Sequence, residues 1–141
     1  MYILKKLNVI LVYNKDMTKI LMCKRTKEPY KGKYNLVGGK IEENESNIDA
    51  AYRELYEETS ITKNDICIKP LMNFEYLCSE IELQVYAGIL NKDVDVIDEV
   101  NKLYWIDANS NFYDLNTYAG EGNIEHMVER FKMFKDKLFN K

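Results

Sequence analysis

Gly39-Lys-Ile-Glu-Glu-Asn-Glu45-Ser-Asn-Ile-Asp-Ala-Ala-Tyr-Arg53-Glu54-Leu55-Tyr-Glu57-Glu58-Thr-Ser60-Ile61 decides how the chain is read. Ser46 is a favourable N-cap, and Asp49 three residues later suits a capping box, so a helix is predicted from about Ser46 to Thr59-Ser60. Residues three and four apart share a helix face. Glu54, Glu57 and Glu58 therefore form one stripe, and Ala50, one turn earlier, leaves space beside Glu54. Ile48, Ala51 and Leu55 form an apolar stripe on the other side, which needs a sheet to cover it.

Strand-like segments lie on both sides of this helix. Residues 3–13 are rich in Ile, Leu and Val, and Lys19-Ile-Leu-Met-Cys23 follows a polar turn at Asn14-Lys-Asp16, so the two are expected to pair as a hairpin. Residues 27–33 read as a loop, and Tyr34-Asn-Leu-Val37 as a short strand running into Gly38-Gly39. Further strands are expected near 66–77, 81–90 and 101–107, and a polar loop at 108–121. Ile124, Met127, Val128, Phe131, Phe134 and Leu138 recur at helical spacing from Asn123 onward. Strands, helix, strands, helix is the order of a mixed α/β fold.

The chain has 141 residues, with no internal repeat and no Pro/Gly/Ser-rich linker, which predicts one domain over residues 1–141. Its net charge of −3 argues against non-specific binding of a long nucleic acid. The apolar run from Asn8 to Tyr13 is too short to span a bilayer or to form the core of a signal peptide. Cys23, Cys67 and Cys78 fit no zinc or CxxC spacing. Each lies in an apolar stretch, so all three are expected to be buried thiols in a reducing, cytoplasmic setting.

A helix with several glutamates is usually only a solvated face. Stacked like charges also repel unless something neutralises them. Hard carboxylate oxygens are what Mg²⁺ or Mn²⁺ prefers. Arg53 can brace a neighbouring carboxylate, and a glycine pair ahead of the helix lets backbone approach closely.

The full spacing is more specific than the triplet. Gly39, five residues, Glu45, seven residues, Arg53-Glu54-Leu55, one residue, Glu57-Glu58, one residue, Ser60, Ile61 resembles the Nudix box. Ser60 departs from it, standing where the family has Gly to make a left-handed helix end. The lead-in Gly32-Lys-Tyr-Asn-Leu-Val-Gly-Gly-Lys-Ile41 also resembles the family's approach strand, with Tyr34 where Trp is frequent and Val37 where Pro is.

The resemblance implies an α/β/α sandwich with a mixed β-sheet between helices. It implies water attack on a diphosphate bridge, assisted by Mg²⁺ (or Mn²⁺). Carried over by position, Glu54, Glu57 and Glu58 hold metal, with the Gly39 carbonyl a further ligand. Glu54 acts as or orients the general base, Arg53 holds the carboxylates, and Glu45 supports the helix start. Glu99, in the acidic pair before the strand that contains Trp105, is a further metal or base candidate.

Arg25, Lys33 and Lys40 flank the expected cleft and are candidates for the substrate's phosphates. Tyr34, Phe74, Tyr76, Trp105 and Asn123 are candidates for its base; capping the last helix is the alternative for Asn123. His126, the one histidine, is more readily a structural residue. Small size and a bare box look most like the MutT branch, which acts on nucleoside triphosphates, sometimes oxidised ones such as 8-oxo-dGTP. Dinucleoside polyphosphates, nucleotide sugars and capped RNA are alternatives with the same chemistry, and a catalytically silent nucleotide-sensing module is one without it. The expected partner is a nucleotide-type small molecule, with no membrane; a homodimer is one option for assembly.

Overall fold

A computed structural model describes residues 4–98 and 101–139. Its elements in chain order are β1 (Lys5–Tyr13), β2 (Lys19–Lys24), β3 (Tyr34–Lys40), α1 (Asn47–Thr59), β4 (Ile66–Tyr76), β5 (Ile81–Leu90), β6 (Leu103–Asp107) and α2 (Asn123–Phe139). The six strands form one sheet in the order β4-β5-β1-β3-β2-β6. β1 and β5 run parallel, and the other pairings are antiparallel.

Alternation along the central strands builds two cores. Ile10 and Val12 face one side with Leu21, Val37 and Tyr86, where Ala51 and Leu55 of α1 cover them. Leu11 and Tyr13 face the other side with Met22, Leu36 and Val85, where Ile124, Met127, Val128 and Phe131 of α2 pack. Tyr13 stacks on Phe131 with ring centroids 4.4 Å apart. The sheet is thus sandwiched between the helices, the architecture expected from the sequence. Ile48, Ala51 and Leu55 form the buried stripe of α1, with Ile48 at its margin.

Three expectations need correction. β1 and β2 meet at only one register pair, Tyr13↔Ile20, because β3 inserts between them and bonds to both. Strand alternation alone does not fix which neighbour a strand takes. The segment 108–121 is a chain of turns, but it buries Phe112 and Tyr118 against the α2 core, and Ala119 is buried too. Of the three cysteines only Cys23 is buried; Cys67 and Cys78 are exposed, and all three are free thiols. Cys67 points outward on β4 between the buried Ile66 and Ile68, so its apolar neighbours flank it without covering it.

Ser46 caps α1 as the sequence suggests, but among the described residues Asp49 gives no return bond that would complete a capping box. Ser46 Oγ accepts the Asp49 N–H at 3.2 Å, while the Asp49 carboxylate lies 3.8 Å from Lys63. At the exit Ser60 adopts φ 67°, ψ 11°, and its N–H donates to the Tyr56 carbonyl at 2.8 Å. A Cβ in this left-handed region is crowded by the backbone, which costs about 1 kcal/mol. Ser60→Gly should therefore stabilise the fold by up to about 1 kcal/mol. Urea unfolding of the two proteins measures this directly, and an unchanged or lower midpoint would refute the strain.

Candidate active site

The chemistry-bearing end of α1 faces the glycine pair that ends β3. Asn8 and Gly39 are register partners between β1 and β3, as are Val9 and Gly38. Gly38 has φ 152°, and a Cβ there would overlap the Asn8 carbonyl. A Cβ on Gly39 would overlap the Glu54 carboxylate. Glycine at 39 is therefore what allows α1 to seat Glu54 directly against the strand backbone, while glycine at 38 lets β1 and β3 pair closely at Asn8.

Arg53 organises the carboxylates. Its Nε and Nη2 donate to the two oxygens of Glu45 at 3.0 and 2.6 Å, a bidentate pair. Nη1 donates to Glu54 Oε2 at 2.9 Å and to Glu57 Oε1 at 3.2 Å, and Nη2 also donates to the Lys40 carbonyl at 2.9 Å. Glu45 returns a bond to the helix lead-in by accepting the Glu42 N–H at 2.8 Å. The guanidinium holds the Glu45 carboxyl down at about 2, with the Glu42 N–H adding to the effect. Hydrogen bonding to Glu45 in turn pushes the Arg53 value up.

Glu58 stands on the cleft side of this network. Burial raises its carboxyl from the ordinary 4.5 to about 7; the charges of Glu54 and Glu57 add to the rise, while the Gly38 N–H and Arg25 oppose it. Three carboxylates thus crowd one helix end, with Arg53 bonded to two of them and Arg25 acting on Glu58. Among the described residues, no three His, Cys, Asp or Glu side chains converge as a ready metal-binding group, and Arg53 engages Glu54 and Glu57. The donor set nevertheless fits a hard divalent cation: oxygen ligands, a surplus of negative charge, and glycine backbone within reach of Glu54.

A cleft of about 610 Å³ opens beside Glu58 and the glycine pair. Arg25 lines it, as do Tyr76 and Asn123, so these sequence candidates come together with Glu58 and Gly39. Arg25 Nε is held by the Pro29 carbonyl at 2.6 Å, and Asn123 donates through Nδ2 to the Tyr76 hydroxyl. Asn123 is the first residue of α2, and this bond spends its side chain across the cleft rather than on the helix end.

Other candidates fall elsewhere. Lys33 and Lys40 are not among the lining residues. Lys33 lies over the Tyr30 ring at 5.7 Å; Lys40 is exposed and contributes its carbonyl to Arg53. Trp105 packs on the α1 side of the sheet. Tyr34 meets Tyr104 edge-on at 5.3 Å, and Phe74 contacts the exposed His126. Glu99 lies outside the described residues; its neighbour Asp98 accepts the Leu103 N–H at 3.3 Å.

The sequence reading missed several cleft residues: Asn8, Tyr30, Asn35 and Glu121. Tyr30 donates its hydroxyl to Glu121 at 2.8 Å, linking loops 91 positions apart. The only local signal was a polar Asn8 opening an otherwise apolar run.

The NUDIX domain pattern matches residues 5–110. The chain belongs to the Nudix hydrolase family. No curated protein matches it in sequence. Among solved structures, the Nudix fold of this chain resembles a C. elegans Ap4A hydrolase in a binary complex at TM-score 0.73 and 20% identity, over 93% of this chain and 98% of that one. The NUDIX domain of Shewanella oneidensis NrtR complexed with ADP ribose gives TM-score 0.73 at 16% identity, over 99% and 91%. A MutT/nudix family protein from Enterococcus faecalis gives TM-score 0.72 at 19% identity over 94% of this chain, which spans only 62% of that one.

The Glu45–Arg53 pair gives a pH-dependent prediction. The Glu45 value is depressed in the fold, so its stabilisation is present above the ordinary 4.5 and is lost as pH falls through about 2. Glu45→Gln should be less stable than wild type at neutral pH, with the gap narrowing as pH drops below 4.5. Denaturation midpoints across that range test it; a gap independent of pH would show that the pair contributes nothing through charge.

Proposed function

We propose that this Nudix protein is a divalent-cation-dependent pyrophosphohydrolase of nucleoside triphosphates or deoxynucleoside triphosphates, including oxidised forms. The products are the monophosphate and pyrophosphate. The observation that carries this reading is the Arg53 network, which presents Glu54 against the Gly39 backbone with Glu57 and Glu58 beside it. Residues 1–141 are read as one Nudix domain. Its free thiols suit a cytoplasmic setting, and among the described residues no helix is long and apolar enough to cross a membrane.

Glu54, Glu57 and Glu58, with the Gly39 carbonyl, would hold Mg²⁺ or Mn²⁺; Glu99 is an additional candidate ligand. The bound cation would offset phosphate charge and lower the pKa of a water molecule. Glu54 receives or orients the proton of the attacking water. Water adds to phosphorus, the bridging P–O bond breaks, and the departing oxygen leaves on pyrophosphate. Arg53 keeps Glu54 and Glu57 in register during this exchange, since phosphoryl transfer depends mainly on positioning and charge. Arg25 meets the phosphates at the cleft wall, while Asn123 and Tyr76 take the base end. Lys33 and Lys40 could act only at the periphery.

A panel of nucleoside triphosphates, dinucleoside polyphosphates, nucleotide sugars and capped RNA, assayed with Mg²⁺ for pyrophosphate and inorganic phosphate separately, tests the substrate class. Pyrophosphate with monophosphate from triphosphates alone supports the reading; turnover of another class moves the substrate while keeping the chemistry. Glu54→Gln should lower kcat by roughly 10²–10⁴-fold, as loss of a general base does. Glu57→Gln should abolish Mg²⁺-dependent turnover with an unchanged circular dichroism spectrum. Full turnover by Glu57→Gln would overturn the metal assignment.

A further inference from the structure

Asn8 is 1% exposed, near the middle of the sheet and at the wall of the cleft. Its Oδ1 accepts the Gly39 N–H at 3.0 Å. A backbone N–H can only donate, so the orientation of the carboxamide is fixed and Nδ2 carries the two hydrogens on the other side. That nitrogen is buried and has no hydrogen-bond partner among the described residues. A buried donor left unpaired is costly and calls for an explanation. Gln84, its register partner on β5, is already committed: it donates to Glu82 and accepts the Tyr86 hydroxyl. Gly39, the residue Asn8 grips, is also the residue against which Glu54 is seated.

We propose that Asn8 is a positioning residue for the metal site, one that fixes the Gly39 backbone through Oδ1 and donates through Nδ2 to an oxygen of the carboxylate cluster once a divalent cation is bound. The proposal rests on the metal-binding reading above. Glu54 is seated on the same Gly39 that Asn8 holds, and Arg53 takes only its Oε2, which leaves Oε1 as the oxygen to accept from Nδ2. Asn8 supplies that bond without adding charge. A side chain that orients ligands in this way typically changes metal affinity by roughly 10–100-fold when removed.

The test is a titration of the ¹⁵N-labelled full chain with Mg²⁺ alone, following the Asn8 side-chain NH₂ signal, assigned by its loss in Asn8→Leu. The expected result is a shift of that signal with the same midpoint as the Gly38 and Gly39 amides, and about ten-fold weaker Mg²⁺ binding by calorimetry in Asn8→Leu. A silent Asn8 signal while the glycine amides shift would overturn this proposal alone. No shift at the glycine pair or along α1 would overturn the metal reading with it. If Asn8→Leu does not fold, the wild-type titration, assigned by through-bond correlation to the Asn8 backbone, still decides.

Discussion

The Arg53 guanidinium is the interaction on which the site depends. Glutamates stacked a turn apart on α1 repel, and in a solvated helix they would splay. Arg53 is half-buried, and its fork spans Glu45, Glu54, Glu57 and the Lys40 carbonyl. That ties the start of the loop, the strand end and the helix into one unit. A lysine offers one ammonium in place of this fork and could not make the bidentate pair with Glu45 while also serving two further carboxylates. Glu58 is left outside the brace, which is why burial and its neighbours act on it most strongly.

The brace works only because the sheet lets α1 come close. Gly39 removes the side chain that would otherwise hold the helix off β3, and Gly38 removes one that would collide with β1 at Asn8. Ala51 and Leu55 then anchor the opposite stripe on Ile10, Val12 and Val37. Burial of this stripe and presentation of the acidic one are consequences of a single helix rotation. A substitution that tilted α1 to relieve one would displace the other.

Much of this was legible in sequence because it is local. The helix limits, the left-handed Ser60, the apolar stripe and the spacing of Arg53 from its carboxylates all lie within residues 39–61 and follow from helix geometry. What could not be read is non-local. The insertion of β3 between β1 and β2 is a choice of partner, which alternation does not encode. Asn8 reaches Gly39 across 31 positions, and Tyr30 reaches Glu121 across 91. Lys33 and Lys40 flank the expected cleft in sequence; in the fold Lys33 lies over the Tyr30 ring and Lys40 is exposed at the end of β3. The exposed Cys67 shows the same limit: an apolar neighbourhood in sequence is not burial on an edge strand.

Charge in the cleft bears on how a polyphosphate would enter. Among the described lining residues, Arg25 is the only basic side chain, and Glu58 and Glu121 are the acidic ones. An anionic chain approaching this wall meets one cation, itself tethered to Pro29, set against two carboxyl groups. In a partly enclosed site such charges are poorly screened, so repulsion near Glu58 is felt by the ligand as well as by the protein. Glu58, whose carboxyl burial raises to about 7, is partly protonated near neutral pH, which relieves part of it. The wall alone therefore offers little net attraction to an anionic ligand. The side bordered by Tyr30, Tyr76 and Asn123 offers aromatic contact, but it also holds Glu121, which accepts the Tyr30 hydroxyl at 2.8 Å.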